Sequence, residues 1–300
     1  ARSAEEAFAA YAGRFDRPRE EYRLSTLTDE TVVDLLLHQS RPRDALPYLE
    51  SLVETTREFA GRFPGDDDAQ RDLAVAAGKL GEAYSELGEG ELGVEAYGEA
   101  IDIVSRLHES DLENATYWSD LAMFHMNRGT IHLFAGPVEK SMGDFETARR
   151  FYRRSLENDA TNYDVAFGYS ALLQRLSHLY EELGDLQGYG DATREMVEID
   201  RELAAARPDN FEAQHGLLIG VRRLAQYHIA AGEIDAAQAA LDEAGRLIDS
   251  LIAGAESNVA LISERATMAD LRAEVARARG DRDGRIASLR ESAALSRRAS

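Results

Sequence analysis

The feature that most constrains this chain is a repeat of 48 residues. Glycine recurs at this interval, at Gly88, Gly136, Gly184, Gly232 and Gly280. Polar turn residues recur in the same phase, at Asp66, Asn114, Asn162, Asn210 and Asn258. A fixed period of about 20 to 50 residues is the signature of stacked structural repeats, each of which is one supersecondary unit. The chain is therefore expected to build the same unit several times.

Each repeat is predicted to be a pair of long helices. The stretch 73–87, before the first repeat glycine, carries apolar residues at helical spacing. Glycine ends a helix easily because it adopts the left-handed backbone conformation without a steric penalty. Asp and Asn are preferred N-caps, so the second series of residues is expected to open the next first helix of each pair. The prediction is an all-α chain of helical hairpins.

One repeat resembles the tetratricopeptide repeat (TPR) family. The resemblance rests on Leu80, Gly81, Tyr84 and Gly88, followed by Gly93, Tyr97, Ala100 and Ile101. The usual TPR period is about 34 residues, so the chain resembles an elongated subtype with about two more turns in each helix. The resemblance spans residues 28–298. It implies a right-handed α-solenoid of antiparallel helical hairpins whose surface binds other proteins.

Two segments depart from the regular pattern. Residues 1–27 are expected to form an N-terminal helix over 3–15 and a connecting segment broken at Arg17-Pro18-Arg19. The repeat domain is then expected over 28–300, with about five and a half hairpins, the first helix beginning at Thr28. In the third repeat Gly143 fits the start of the second helix better than Gly136 does, so that helix is expected to be about two turns short.

Composition restricts the class of partner. The formal net charge of −21 repels nucleic-acid phosphates and anionic membrane surfaces, whereas a basic surface fits it. No apolar run reaches the ~18 residues that cross a membrane, and the acidic start at Ala4-Glu5-Glu6 differs from a secretory signal. A cytoplasmic protein is expected. The chain has no cysteine, which excludes disulfides and thiolate chemistry.

No residue pattern in the sequence is typical of an enzyme, a metal site or a cofactor site. His132 and His228 share a repeat position with Tyr84 and Tyr180, which favours packing between helices over ligand binding. His125 and His132 could share one helix face, but no acidic partner is expected to complete a metal motif with them. The chain is predicted to be non-catalytic.

Cationic and amide side chains recur on one face of the first helices. This cationic ladder consists of Lys79, Asn127, Arg175 and Arg223, with Arg222 alongside. The TPR resemblance places this face on the concave groove, where such side chains would clamp the carboxylates of an acidic peptide segment. The alternative is that they pair with neighbouring carboxylates of the chain, at Glu82, Glu181 or Glu182.

An apolar patch is predicted on the same side of the third repeat. It consists of Met123, Met126, Leu133 and Phe134. Methionine and aromatic side chains suit an apolar anchor from a partner, although packing against the next repeat would also explain them.

These features together predict a scaffold that binds another protein or peptide, either an acidic segment at the cationic ladder or a basic surface elsewhere. Nucleic acid and membrane are not expected as partners. The alternative is a regulatory or sensor module of a larger signalling protein, such as a kinase or an NTPase, which rests on analogy of fold.

Overall fold

A computed structural model describes residues 17–253 and 258–299, and no β-strand occurs among them. The chain divides into two compact units, Ala1–Asn158 and Asp159–Ser300. The helices of the first unit are α1 (Arg17–His38), α2 (Pro42–Arg62), α3 (Asp67–Glu86), α4 (Gly90–Ser110), α5 (Ala115–Ala135) and α6 (Val138–Asn158). Those of the second are α7 (Tyr163–Glu182), α8 (Leu186–Ala206), α9 (Phe211–Ala230), α10 (Ile234–Ile252), α11 (Val259–Ala278) and α12 (Arg282–Ala299).

The prediction of an all-α chain built from helical hairpins is confirmed. Each odd-numbered helix packs along the even-numbered helix that follows it, across a short turn. The first helices from α3 onward begin at Asp67, Ala115, Tyr163, Phe211 and Val259, so successive starts lie 48 residues apart. No helix within residues 17–253 and 258–299 combines the length and the apolar composition that a membrane crossing requires.

Short polar side chains open the five first helices from α3 to α11, as predicted. A side-chain oxygen of each cap accepts a hydrogen bond from a backbone N–H two or three residues further on, in Asp66, Asn114, Asn162, Asn210 and Asn258. The first N–H groups of a helix have no partner within the helix, so these caps satisfy donors that would otherwise depend on water.

Glycine ends four of the first helices in the left-handed conformation. The φ angles lie between 72° and 77° at Gly88, Gly184, Gly232 and Gly280. Gly136 differs, with a φ of −130° and a ψ of −174°. The reason is that Gly136 precedes Pro137, whose ring pushes the preceding residue into extended backbone.

The left-handed glycine turns are expected to contribute to the stability of the fold. Replacing Gly184 with alanine is expected to lower the free energy of unfolding by about 1 kcal/mol, because a Cβ atom disfavours this conformation. Gly61 lies inside α2 with open space around it. Gly61→Ala should therefore raise the free energy of unfolding by about 0.5 kcal/mol. Urea denaturation compares the two variants, and a change of the same sign in both would contradict this account.

The start of the repeat domain differs from the prediction. Helix α1 begins at Arg17 and continues to His38, so the break predicted at Arg17-Pro18-Arg19 and the helix start predicted at Thr28 are wrong. Pro18 lies in the first turn of α1, where the N–H that proline lacks has no helical partner in any case. The predicted boundary between residues 27 and 28 thus falls inside a helix. The helix predicted over 3–15 lies outside the described residues.

The third repeat is regular, which corrects a second prediction. Helix α6 contains 21 residues, the same number as α4 and α8, so the two-turn shortening is wrong. The hydroxyl of Ser141, in the first turn of α6, donates a 2.9 Å hydrogen bond to the backbone carbonyl of Gly129 in α5. This bond ties the start of α6 to its hairpin partner. Gly143 is simply an exposed residue within the helix.

Candidate functional site

The second unit contains a pocket between the first helices α7 and α9, with α8 behind them. Its volume is about 260 Å³. Sites for small-molecule ligands usually measure about 300 to 1,000 Å³, so this pocket lies just below the lower end of that range and has room for a long side chain. Its walls are mainly apolar, formed by Phe167, Ala171, Leu203, Phe211 and Ile219. We call it the Asp200 pocket, after the acidic residue of α8 that lines it.

Asp200 is the unusual residue of this pocket. It is only 3% exposed. Its Oδ1 atom accepts a 2.5 Å hydrogen bond from the hydroxyl of Ser170 in α7, and Oδ2 makes no hydrogen bond or ion pair with any described residue. Burial raises the pKa of the Asp200 carboxyl to about 6, although the hydrogen bond from Ser170 lowers it in part. A buried carboxylate without a cation is destabilising when ionised.

Two glycines of α9 make room for this carboxyl group. A Cβ atom at Gly220 would lie 2.7 Å from Asp200 Oδ2, and one at Gly216 would lie 3.9 Å from Oδ1. In the other repeats the position of Gly220 holds a buried apolar side chain, at Ala76, Phe124, Leu172 and Met268. The room that α9 provides for a carboxyl group at this position is therefore a feature of this repeat alone among the five that share the position.

The repeat also contained a signal that sequence reasoning missed. Four positions equivalent to Asp200 are buried but uncharged, at Thr56, Val104, Tyr152 and Ile248, and the fifth, Ser296 of the last helix, is exposed. A carboxylate in this series stands out only when the second helices are aligned with one another. The repeat positions of the first helices and the turns carry no sign of the Asp200 pocket.

Two aromatic rings flank the opening of the pocket. Phe167 and Phe211 are each 44% exposed, a large fraction for residues of this type. Phe167 stacks on Tyr163 with ring centroids 6.3 Å apart, and the Arg207 guanidinium lies 3.5 Å above the Tyr163 ring. Phe211 stacks on His215 at 5.5 Å. Each ring is thus held by a neighbour while part of its surface stays available to a partner.

His215 adds a second polar group to the pocket. Its Nε2 atom is buried and makes no hydrogen bond to a described residue. Buried polar atoms in native proteins are normally paired, and an exception calls for an explanation such as a missing ligand. His215 and Asp200 are therefore two residues of the pocket lining that each have a polar atom without a hydrogen bond to a described residue.

The ladder residues of the first unit have partners within the chain. Lys79 of α3 forms a 2.5 Å ion pair with Asp34 of α1. The side chain of Asn127, in α5, hydrogen-bonds the Tyr97 hydroxyl. Asp34 is not one of the carboxylates predicted as partners, which were Glu82, Glu181 and Glu182, but it neutralises Lys79 in the same way.

The ladder residues of the second unit are also engaged. Arg223 is 9% exposed, and its guanidinium lies 2.9 Å from Glu181 and over the Tyr189 ring. Arg222 forms a 2.7 Å ion pair with Glu264 of α11. Arg175 donates to the carbonyl oxygen of Ala171, 2.8 Å away. Binding of an acidic segment at the cationic ladder stays a prediction. Such a segment would have to replace the contacts that these side chains make within the chain.

The predicted apolar patch is only partly accessible. Phe134 is 83% exposed and Met123 is 40% exposed, whereas Met126 and Leu133 are half-buried. The hydroxyl of Tyr152 lies 3.9 Å from the Met126 sulfur, which places that side chain against α6. A role of the patch in binding stays a prediction.

His125 and His132 share an acidic neighbour that the sequence pattern did not indicate. Asp144 of α6 lies 2.8 Å from His125 Nδ1 and 3.9 Å from His132 Nε2. Arg128 donates to both Asp144 oxygens, at 3.0 and 2.7 Å, so the carboxylate is already paired with a cationic side chain. No group of side chains in the described part of the chain is suited to hold a metal ion. The cluster fastens α5 to α6.

The repeated helical hairpins, with capped first helices and left-handed glycine turns, form a TPR-like helical repeat fold. No family model matches the sequence, and no curated protein matches it. The solved structures similar to it include Nro1, a hypoxic regulator of sterol synthesis described as a nuclear import adaptor, with 15% identity over 93% of this chain and 88% of that chain and a TM-score of 0.63.

A second similar structure is that of BtubC (BKLC) from P. vanneervenii. It has 15% identity over 85% of this chain and 91% of that chain, with a TM-score of 0.57. YrrB, a TPR protein with an unusual peptide-binding site, matches 81% of this chain and 93% of that chain at 12% identity, with a TM-score of 0.41. At identities of 15%, the likeness to Nro1 and BtubC shows the fold alone.

Proposed function

We propose that this chain is a non-catalytic scaffold that binds a segment of another protein and takes one side chain of that segment into the Asp200 pocket. The observation that carries the proposal is a buried carboxyl group without a cation, on a residue that lines a mainly apolar pocket. Such a group opposes folding when it is ionised. Its presence is explained if a partner supplies the missing interaction, because destabilising features cluster at functional sites.

The opening of the pocket supports a protein segment as the ligand. Phe167 and Phe211 come from two different first helices and stand on either side of it. A chain lying across α7 and α9 would cover both rings, and aromatic side chains contribute strongly to protein interfaces. The net charge of −21 disfavours nucleic acid and anionic membranes as alternative partners.

The cationic ladder and the apolar patch are weaker candidates for the same role. Arg222 and Arg223 already pair with carboxylates of the chain, so an acidic segment would replace existing bonds and gain little net energy. Phe134 is exposed, and a nearby pocket of about 380 Å³ is lined by its neighbours Ile131, His132 and Ala135 but not by Phe134 itself. The Asp200 carboxyl group differs because no cation among the described residues pairs with it.

Selection from a random peptide display library tests the proposal. The wild-type chain is the bait, and the selected peptides are then measured against a Phe167→Ala, Phe211→Ala double variant. We expect the double variant to bind at least about tenfold more weakly, because exposed aromatic anchors dominate interface energy. Leu183→Ala is the matched control, since Leu183 is 53% exposed and follows α7 outside the pocket.

The control variant should bind the selected peptides as tightly as the wild type does. Circular dichroism checks that all three proteins remain helical. If the wild type selects no peptide, or if the double variant binds its peptides with unchanged affinity, the proposed function is wrong at this pocket.

A further inference from the structure

We infer that the side chain received by the Asp200 pocket is cationic, a lysine or an arginine of the partner segment, which would place its charged group beside Asp200 Oδ2. This inference rests on the binding function proposed above and adds the chemistry of the residue recognised. It is carried by charge, by the free oxygen of the carboxyl group and by the shape of the pocket.

The charges around the pocket have one sign. Asp200 and Glu212 are the acidic residues that line it, and no lysine or arginine lines it. His215 is the one lining residue that could carry a positive charge. Charges attract one another more strongly in a pocket from which water is partly excluded than in bulk water. A ligand cation would thus meet a carboxylate that has no competing cation beside it.

The carboxyl group has one oxygen available. Ser170 donates to Oδ1, whereas Oδ2, which packs against Gly220 of α9, accepts no hydrogen bond from a described residue. An ammonium or guanidinium group carries several N–H donors and suits an oxygen with no hydrogen bond of its own. A neutral apolar side chain would bury the carboxylate further without pairing it, which disfavours that occupant.

The walls of the pocket suit a long side chain with a charged end. Ala171, Leu203 and Ile219 form apolar surface against which the methylene stem of a lysine or arginine can pack. The exposed rings of Phe167 and Phe211 at the opening can contact the same stem, or the cation itself. Apolar walls around a carboxylate therefore match the two parts of such a side chain.

Binding of a cation requires the ionised carboxylate, so acid should weaken it. Burial holds the pKa of Asp200 at about 6, and about one tenth of the free protein is ionised one pH unit below that value. The other titratable groups in the pocket are Glu212 and His215 of α9, while Ser170 and Gln174 of α7 do not titrate.

The test is a double-substitution cycle on a peptide selected by the wild-type protein. The lysine or arginine at the anchor position of the peptide is replaced with norleucine, and Asp200 of the protein is replaced with asparagine. Norleucine should weaken binding to the wild type by about 10- to 100-fold at about pH 7.5. Binding to Asp200→Asn should be weak for both peptides and differ little between them.

Acid and a second variant complete the test. At about pH 5 the basic peptide should bind the wild type about tenfold more weakly than at neutral pH, while its binding to Asp200→Asn should change far less. Asp191→Asn removes the same charge from an exposed position on α8. It should retain both the affinity and the norleucine effect.

The outcomes separate the two proposals. If selected peptides depend on Phe167 and Phe211 but carry no enriched lysine or arginine, or if norleucine binds the wild type as well, the inference is overturned and the proposed function stands. If the wild type selects no peptide, the proposed function fails and the inference fails with it.

Discussion

Replacing Asp144 with alanine is expected to lower the free energy of unfolding by about 3 kcal/mol. Asp144 is 6% exposed and joins α6 to α5 through His125 and Arg128. The substitution leaves the Arg128 guanidinium, which is partly buried, without its partner. Breaking a buried ion pair typically costs about 3 to 5 kcal/mol, and the lower end applies because Arg128 retains some contact with water.

Urea denaturation at neutral pH measures this effect. Glu139→Ala removes an exposed acid from the same helix and should change the free energy of unfolding by less than about 0.5 kcal/mol. The Asp144→Ala, Arg128→Ala double variant should be less destabilised than the sum of its single variants, because it removes both buried charges. A loss of less than about 1 kcal/mol in Asp144→Ala would contradict the role assigned to the cluster.

The same cluster makes the first unit sensitive to acid. Burial raises the pKa of Asp144, but hydrogen bonds from His125 and Arg128 outweigh it, so the pKa lies below its usual value. The stability this carboxylate provides is present above its unfolded pKa and is lost as the pH falls through the folded one. Burial lowers the pKa of His132. The folded state therefore disfavours protonation of His132, and the stability of the fold decreases further as the pH is lowered.

Asp200 is expected to have the opposite effect on stability. Replacing it with asparagine should raise the free energy of unfolding at about pH 8 by up to about 3 kcal/mol, because one pKa unit corresponds to about 1.4 kcal/mol. The folded pKa of Asp200 is raised from 3.8 to about 6. Between these values the unfolded chain ionises first, so the folded state loses stability as the pH rises and keeps that deficit above the folded pKa.

The difference between wild type and Asp200→Asn should therefore shrink as the pH falls and nearly vanish at about pH 4. Chemical denaturation at several pH values measures it, with Asp191→Asn as the exposed control on the same helix. If Asp200→Asn is less stable than the wild type at about pH 8, the carboxyl group stabilises the fold and the main reason for a functional role is lost. A stability gain together with lost binding would be the trade-off expected of a functional residue.

Much of the fold follows from local sequence signals that repeat. Helix caps such as Asn162 and left-handed glycines such as Gly184 mark helix ends through backbone chemistry within a few residues. The errors arose where one residue allows two structures. Pro18 is tolerated in a first helical turn as well as in a break, and Gly143 is tolerated on an exposed helix surface as well as at a helix start.

The candidate site was less predictable because its properties depend on distant residues. The ion pair between Arg222 and Glu264 joins residues 42 positions apart, so no local sequence pattern predicts it. The solvation of Asp200 likewise depends on the glycines of α9 and on Ser170 of α7. Alignment of the second helices would have shown an acid at a buried position, but not whether a cation accompanied it.

The most direct test of the account is the location of a bound peptide, read from amide chemical shifts of the isotope-labelled protein. The account predicts that a lysine-containing peptide selected by the wild type shifts the amides around the Asp200 pocket, at Ser170 of α7 and at Gly216 and Ile219 of α9. Shifts confined to the first unit, around Lys79 or Phe134, with an unchanged Asp200 pocket would contradict it.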